Sequence, residues 1–215
     1  MALLSEYGFN EGSGLTAADS SGNGYDLTAS NSSTSWSAGG KTESGTLREF
    51  TGVVGPNSSK SSWTVMAWVK RTGTWSGFAG ILTSPDNNFY LEADANNAYI
   101  PNCYADITTA FATTPLPLNN WVHVAVVSTS NNIQLFVNGA AEGANEAANA
   151  MNFGNSVWVV NPTAVTGNEN SDFVGIVDEV RVFDTALTAG QITTYMNTPI
   201  STPNDVTPIM WVGAS

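Results

Sequence analysis

The chain is predicted to fold as an all-β, two-sheet antiparallel sandwich carrying one short C-terminal helix. Three observations predict it. Apolar and polar residues alternate with period two in run after run, and each run is closed by turn residues, the pattern of half-buried antiparallel strands. Only 11% of the 215 residues are charged although 42% are hydrophobic, so solubility rests on Ser, Thr, Asn and Gly in turn-rich loops. The period becomes helical only once, near the C-terminus.

Residues 3–9 form the first alternating run. In residues 63–70, Trp63, Val65, Ala67 and Val69 point one way and Thr64, Met66, Trp68 and Lys70 the other, so both faces carry an aromatic and the strand is central. Weaker runs lie at 78–82, 89–93 and 98–100, and clear ones at 121–127, 133–138, 157–160 and 173–183. Roughly nine strands suit a two-sheet sandwich. Asn138 and Gly139 tolerate the positive φ values of a type I′ turn and mark a tight hairpin tip. In residues 184–196, Thr188 with Gln191 three positions on reads as a capping box, and Ile192, Tyr195 and Met196 share a helical face. The domain is expected to span 1–198. Pro199, Pro203 and Pro208 then make 199–215 a tail that continues neither helix nor central strand. Its Ile209, Met210, Trp211 and Val212 need cover, either from the chain's own sandwich or from a neighbouring subunit, which makes them the candidate assembly segment.

Six Lys and Arg against 18 Asp and Glu give a formal charge of −12, which repels phosphate backbones and anionic lipid. Nucleic acid and membrane are therefore not expected partners. Cys103 is the single cysteine, so neither an internal disulfide nor a cysteine metal cluster can form. The N-terminal residues lack the basic start and apolar stretch of a secretory signal, and the chain is expected to fold where it is made.

Several segments together resemble the laminin G-like family: YGFNEGSG at 7–14, DSSGNGYDLT at 19–28, WTVMAWVK at 63–70, WVHVAVV at 121–127, IQLFVNG at 133–139 and GIVDEVRVFDTALTAGQI at 175–192. The resemblance implies a concanavalin A-type jelly roll. Residues 29–49 and the tail have no counterpart in it. Functions in the family range over sugar binding, adhesion, accessory modules of enzymes and virion components, so the fold does not decide among them.

Asp178 stands on the even-numbered face of 173–183 with Val174, Ile176, Val180 and Val182, where a carboxylate must be paired, hydrogen-bonded or metal-bound. The loop from Asp19 to Gly24 offers glycine turns and hard oxygen donors that would suit calcium. The resemblance points the same way, to a calcium site made by Asp19, Asn23 and Asp178 with Glu11 as a further candidate. The competing account is that Asp178 accepts hydrogen bonds from backbone amides of the glycine loop without any metal. His123, the sole histidine, reads as a packed core residue. Glu92, Asp94 and Asn97 come near a glucanase-like acid pattern but lack its second Glu, so no catalytic residue is assigned. Trp36, Trp75, Tyr90, Tyr99 and Tyr104 are either a stacking platform for a sugar ring or simple packing.

The expected function is a non-catalytic structural or adhesion protein of a phage or virus particle, made in the host cytoplasm. Its partners would be other virion proteins or host-surface glycans, with homo-oligomerisation left open. The alternative is a carbohydrate-binding module of a secreted bacterial protein, acting outside the cell.

Overall fold

The computed structural model describes residues 2–29, 36–37, 40–41, 45–46, 50–84, 89–105, 107–130, 132–154, 158–160 and 173–201. In chain order the strands begin with β1 (Leu3–Tyr7), β2 (Thr16–Ala17), β3 (Leu27–Ala29), β4 (Trp36–Ser37), β5 (Gly45–Thr46) and β6 (Phe50–Gly52). Next come β7 (Ser59–Lys60), β8 (Trp63–Arg71), β9 (Phe78–Ser84), β10 (Phe89–Asp94), β11 (Ile100–Ala105) and β12 (Thr108–Phe111). The last are β13 (Trp121–Ser128), β14 (Asn132–Val137), β15 (Ala140–Ala147), β16 (Met151–Asn152), β17 (Trp158–Val160) and β18 (Gly175–Phe183), followed by helix α1 (Ala189–Met196).

Two antiparallel sheets face each other. The first runs β15-β14-β13-β8-β18-β5-β4 with β1 also on β18, and the second runs β12-β11-β10-β9-β17-β6-β3-β2. Alternation decides what lies between them. Trp63, Val65, Ala67 and Val69 of β8 and Val122, Val124 and Val126 of β13 face Phe50, Phe89, Leu91 and Trp158 of the second sheet. Trp63 meets Phe89 edge-on at 5.7 Å between ring centroids, and Phe153 stacks on Trp158 at 5.5 Å. Fully burying such side chains contributes roughly 1.5–3 kcal/mol each.

The hairpin tip is as expected, with φ of +48° at Asn138 and +83° at Gly139. The strand expected at 98–100 is instead a turn, because Ala98 and Tyr99 both adopt left-handed backbone; β11 starts only at Ile100.

The outer face of the first sheet is covered by α1. Met66, Ala125, Val127, Phe136 and Phe183 form a second apolar cluster with Leu187 and Ile192. The capping box is present: the Gln191 amide donates to Thr188 Oγ1 at 3.3 Å, and the Thr188 amide to Gln191 Oε1 at 2.9 Å. At the other end the helix carbonyls are satisfied by the sheet beneath. Trp68 Nε1 donates to Met196 O at 3.0 Å and Arg181 Nη1 to Tyr195 O at 3.1 Å. Packing continues past the expected boundary at Thr198. Ile200 is buried, its amide donates to Glu179 Oε2, and its carbonyl accepts from Asn10 Nδ2. Residues 202–215, including Ile209, Met210, Trp211 and Val212, lie outside the described residues. Among the described residues, no helix is long and apolar enough to cross a membrane.

One irregularity changes the reading of β18. Val177 stands opposite Val69 and Asp178 opposite Trp68, but the next regular pair is Arg181 with Met66. Glu179, with φ of +51°, sits in the bulge between them. The phase slips there. Val177, Val180 and Val182 face the core, whereas Asp178, Arg181 and Phe183 share the outer face with Trp68 and Met66. Asp178 is thus not on the face of Val180 and Val182, as strict alternation had suggested.

Candidate functional site

Of the four residues expected to hold calcium, Asp19 and Asn23 share one network through Ser21 and β1, Glu11 is tied to Ala18, and Asp178 is held by Lys41 and Glu179. Asp19 organises its own loop: the Glu6 and Ser21 amides donate to Oδ1 at 3.1 and 3.0 Å, and the Tyr25 amide to Oδ2 at 3.0 Å. Asn23 turns its amide onto β1, Nδ2 donating to Leu3 O and Leu4 O at 3.0 Å each. Glu11 Oε1 accepts from the Ala18 amide at 2.7 Å, and burial raises its pKa above the ordinary carboxylate value. Asp178, fully buried, accepts the Lys41 amide at Oδ2 (2.6 Å) and the Glu179 amide at Oδ1 (2.9 Å). Among the described residues no three His, Cys, Asp or Glu side chains come together as a metal site. Both carboxylate oxygens of Asp19 and of Asp178 already serve backbone amides, whereas Glu11 keeps a buried Oε2 without a partner, so in this arrangement the four do not fit a shared calcium ion. Melting curves in calcium and in EDTA are therefore expected to coincide, while Asp178→Ala lowers stability by about 1–3 kcal/mol through its orphaned amides. A calcium-dependent rise in melting temperature that Asp178→Ala abolishes would reinstate the metal.

The five aromatic candidates fall into three places. Trp36 donates Nε1 to Gly14 O at 3.0 Å and packs 5.1 Å from Phe50, as a buttress of the core edge. Trp75 donates to Ala93 O at 3.2 Å and meets Tyr99 at 4.8 Å and Phe173 at 5.3 Å. The Arg71 guanidinium covers the Tyr99 ring at 3.9 Å. These three rings are packing. Tyr90 and Tyr104 are different: they pair across β10 and β11 on the outer face of the second sheet, 6.1 Å apart and only half-buried.

Alternation builds a grid around them. Phe89, Leu91 and Ala93 of β10, Cys103 and Ala105 of β11 and Ala110 of β12 point into the core. Their neighbours must then point outward. Register places Tyr90 beside Tyr104 and Tyr104 beside Thr109; one step along, Glu92 lies beside Asn102 and Asn102 beside Phe111. On the β9 side Gly80 stands opposite Glu92 and adds no side chain there. Glu92 is buried, while Phe111 remains 42% exposed. Asn102 is 0% exposed, and neither its amide nitrogen nor its oxygen has a partner. An unpaired buried polar group costs about 1–3 kcal/mol and calls for an explanation.

Asn102 and Phe111 had not been singled out in the sequence. The alternation of Asn102 with Tyr104 was the available signal, but only pairing brings them beside Glu92.

His123, expected to be a packed residue, is fully buried beneath the helix side of the first sheet, edge-on to Trp68 at 5.4 Å. Burial, with a smaller contribution from the Arg181 charge, pushes its pKa down to about 3. A cleft of about 120 Å³ lined by Lys41, Trp68, Glu179, Met196, Asn197 and Pro199 lies at the end of α1.

A family model described as the Concanavalin A-like lectin/glucanases superfamily matches residues 49–193. No curated protein sequence matches the chain. Among solved structures, domain 4 of AbnA, a GH43 extracellular arabinanase from Geobacillus stearothermophilus in complex with arabinotriose, is similar with TM-score 0.64 and 17% identity, over 90% of this chain and 97% of that one. The binding domain of Paraclostridial Mosquitocidal Protein 1 gives TM-score 0.69 and 13% identity, over 91% of this chain and 52% of that one. Trypanosoma rangeli sialidase in complex with the inhibitor DANA gives TM-score 0.65 and 14% identity, over 90% of this chain but only 32% of the sialidase. Identities this low establish the shared fold alone.

Proposed function

This chain belongs to the Concanavalin A-like lectin/glucanases superfamily, and on that premise we propose that it is a non-catalytic carbohydrate-binding domain with its site on the outer face of β10, β11 and β12. The observation that carries the proposal is the unpartnered Asn102 amide, set beside Glu92 and flanked by Tyr90, Tyr104 and Phe111. Aromatic faces for the C–H side of a sugar and a few placed polar groups for its hydroxyls are what such recognition requires. The arabinotriose complex of the similar arabinanase domain supports the same class of ligand.

The non-catalytic part of the proposal is supported by how the neighbouring acid is used. Glycoside hydrolysis needs two carboxyl groups across the bond that breaks. Asp94, two residues from Glu92 on the same face, caps the turn at Ala95–Asn97 by accepting the Asn96 amide at 2.9 Å. The virion role expected from the resemblance draws no support from this geometry, and its anchoring residues 209–212 lie outside the described residues.

Calorimetric titration with arabino-oligosaccharides and a panel of plant and microbial polysaccharides tests the proposal. Tyr104→Ala should weaken binding about tenfold, the worth of roughly 1.4 kcal/mol of aromatic contact, and leave the fold intact. Binding that is indifferent to Tyr104→Ala would move the site elsewhere. Release of reducing sugar that disappears in Glu92→Gln would make the protein an enzyme.

A further inference from the structure

We infer that the site on the second sheet is built for an uncharged glycan, with the Asn102 amide as its central hydrogen-bonding group. This rests on the carbohydrate-binding reading above and names its ligand class.

The sign of the charge comes first. Five of the chain's six basic residues, Lys41, Lys60, Lys70, Arg71 and Arg181, are among the described residues, and none of these five belongs to a strand of the second sheet. The face around the site carries Glu92 and Asp94 instead, on a protein of net charge −12. A sialic acid, uronic acid or sulfated sugar needs an Arg or Lys partner for its anion. Here it meets carboxyl groups and a repulsive field.

Hydrogen-bonding capacity points the same way. The Asn102 side chain has two donors and one acceptor, all unused, in a fully buried position. Sugar hydroxyls both donate and accept, so a neighbouring pair of them satisfies both ends of the amide. An anionic group accepts only, and would leave the Asn102 oxygen unpaired beside Glu92. Tyr90, Tyr104 and the exposed Phe111 supply apolar surface on either side for the uncharged face of a ring. A buried amide without partners costs the free protein stability, and proteins keep such local violations where a ligand resolves them.

The test uses an array of neutral arabinan, xylan, galactan and cellulose oligosaccharides beside anionic oligogalacturonides, sialyllactose and heparin fragments. Hits are then titrated against the wild-type protein, Asn102→Leu and Tyr104→Ala. The expected result is binding of neutral glycans alone, insensitive to salt. Asn102→Leu should lose at least tenfold in affinity while melting at the same or a higher temperature, because leucine fills the space without an orphaned amide. Asn102→Ser provides a smaller replacement with the same expected loss should leucine not fit. Anionic glycans bound in a Tyr104-dependent way would overturn the inference and keep the carbohydrate-binding reading. Neutral binding untouched in both Asn102 variants would remove Asn102 from the site, and a large fall in melting temperature in both would show that the amide is satisfied within the fold. Binding to no glycan in either set would sink the carbohydrate-binding reading itself, and the inference with it.

Discussion

Arg181→Ala is expected to destabilise the protein by about 3–5 kcal/mol, the range for removing one member of a buried ion pair. Arg181 is 2% exposed on β18, directly after the bulge. Its Nε lies 3.1 Å from Glu6 Oε2 and its Nη2 lies 3.5 Å from Glu179 Oε2. The same guanidinium donates to Tyr195 O and Thr198 O, so it ties β1, the bulge and the end of α1 into one unit. Without it, the buried Glu179 carboxylate keeps the Ile200 amide but loses its counter-charge, and the Tyr195 and Thr198 carbonyls each lose one donor. Urea denaturation should show the loss as a shifted midpoint with unchanged slope. The double variant Arg181→Ala, Glu179→Ala should cost less than the sum of the two singles, because each single change strands the other group. A loss below about 1 kcal/mol would class the network with solvent-screened surface pairs.

Lowering the pH from 6.5 towards 3 is the second large effect, and His123 is its source. Its folded pKa, about 3, lies below the ordinary histidine value of 6.5, so the unfolded chain binds the proton first. The stability associated with the neutral ring is fully present above pH 6.5 and is lost as pH falls towards the folded value. At about 1.4 kcal/mol per pH unit, the total reaches several kcal/mol at pH 4. Other groups overlap this window. The raised pKa of Glu11 works in the opposite direction, since the folded chain takes up that proton at higher pH. Glu142 and Asp184, whose pKa values are lowered by hydrogen bonds from Thr113 and Thr114 and from Ala2 and Thr185, contribute stability that disappears on the acid side of their unfolded values. A comparison with His123→Leu isolates the histidine. The variant should be at least as stable as the wild type at pH 7, because neither ring nitrogen has a partner to lose, and should lose much less stability between pH 6.5 and 4. Parallel pH profiles for the two proteins would show that His123 is protonated within the fold.

Much of the architecture is legible in local pattern. Alternation in β8, β13 and β14 determines which side chains meet in the core, Asn138 and Gly139 determine a hairpin tip, and Thr188 with Gln191 determines where α1 begins. Each is a property of a few consecutive residues, and the physical cause acts within that span: side-chain direction, tolerated φ, or a capping hydrogen bond. Tertiary structure decided the rest. β15, AAEGANEA, has no apolar alternation and lies mostly exposed, so only its pairing with β14 makes it a strand. The even-numbered face of β18 reads as continuous in the sequence, but Glu179 sits in a bulge, where pairing with β8 on either side requires one extra residue and turns Asp178 away from Val180. The candidate sugar site is likewise a product of register. Tyr90 and Tyr104 stand out as aromatics in the sequence, but Glu92, Asn102 and Phe111 become one site only because β10, β11 and β12 align them side by side. Periodicity tells a residue which way to face. Hydrogen-bonded partners distant along the chain decide what it faces with, because register is set by the sum of contacts over a whole sheet.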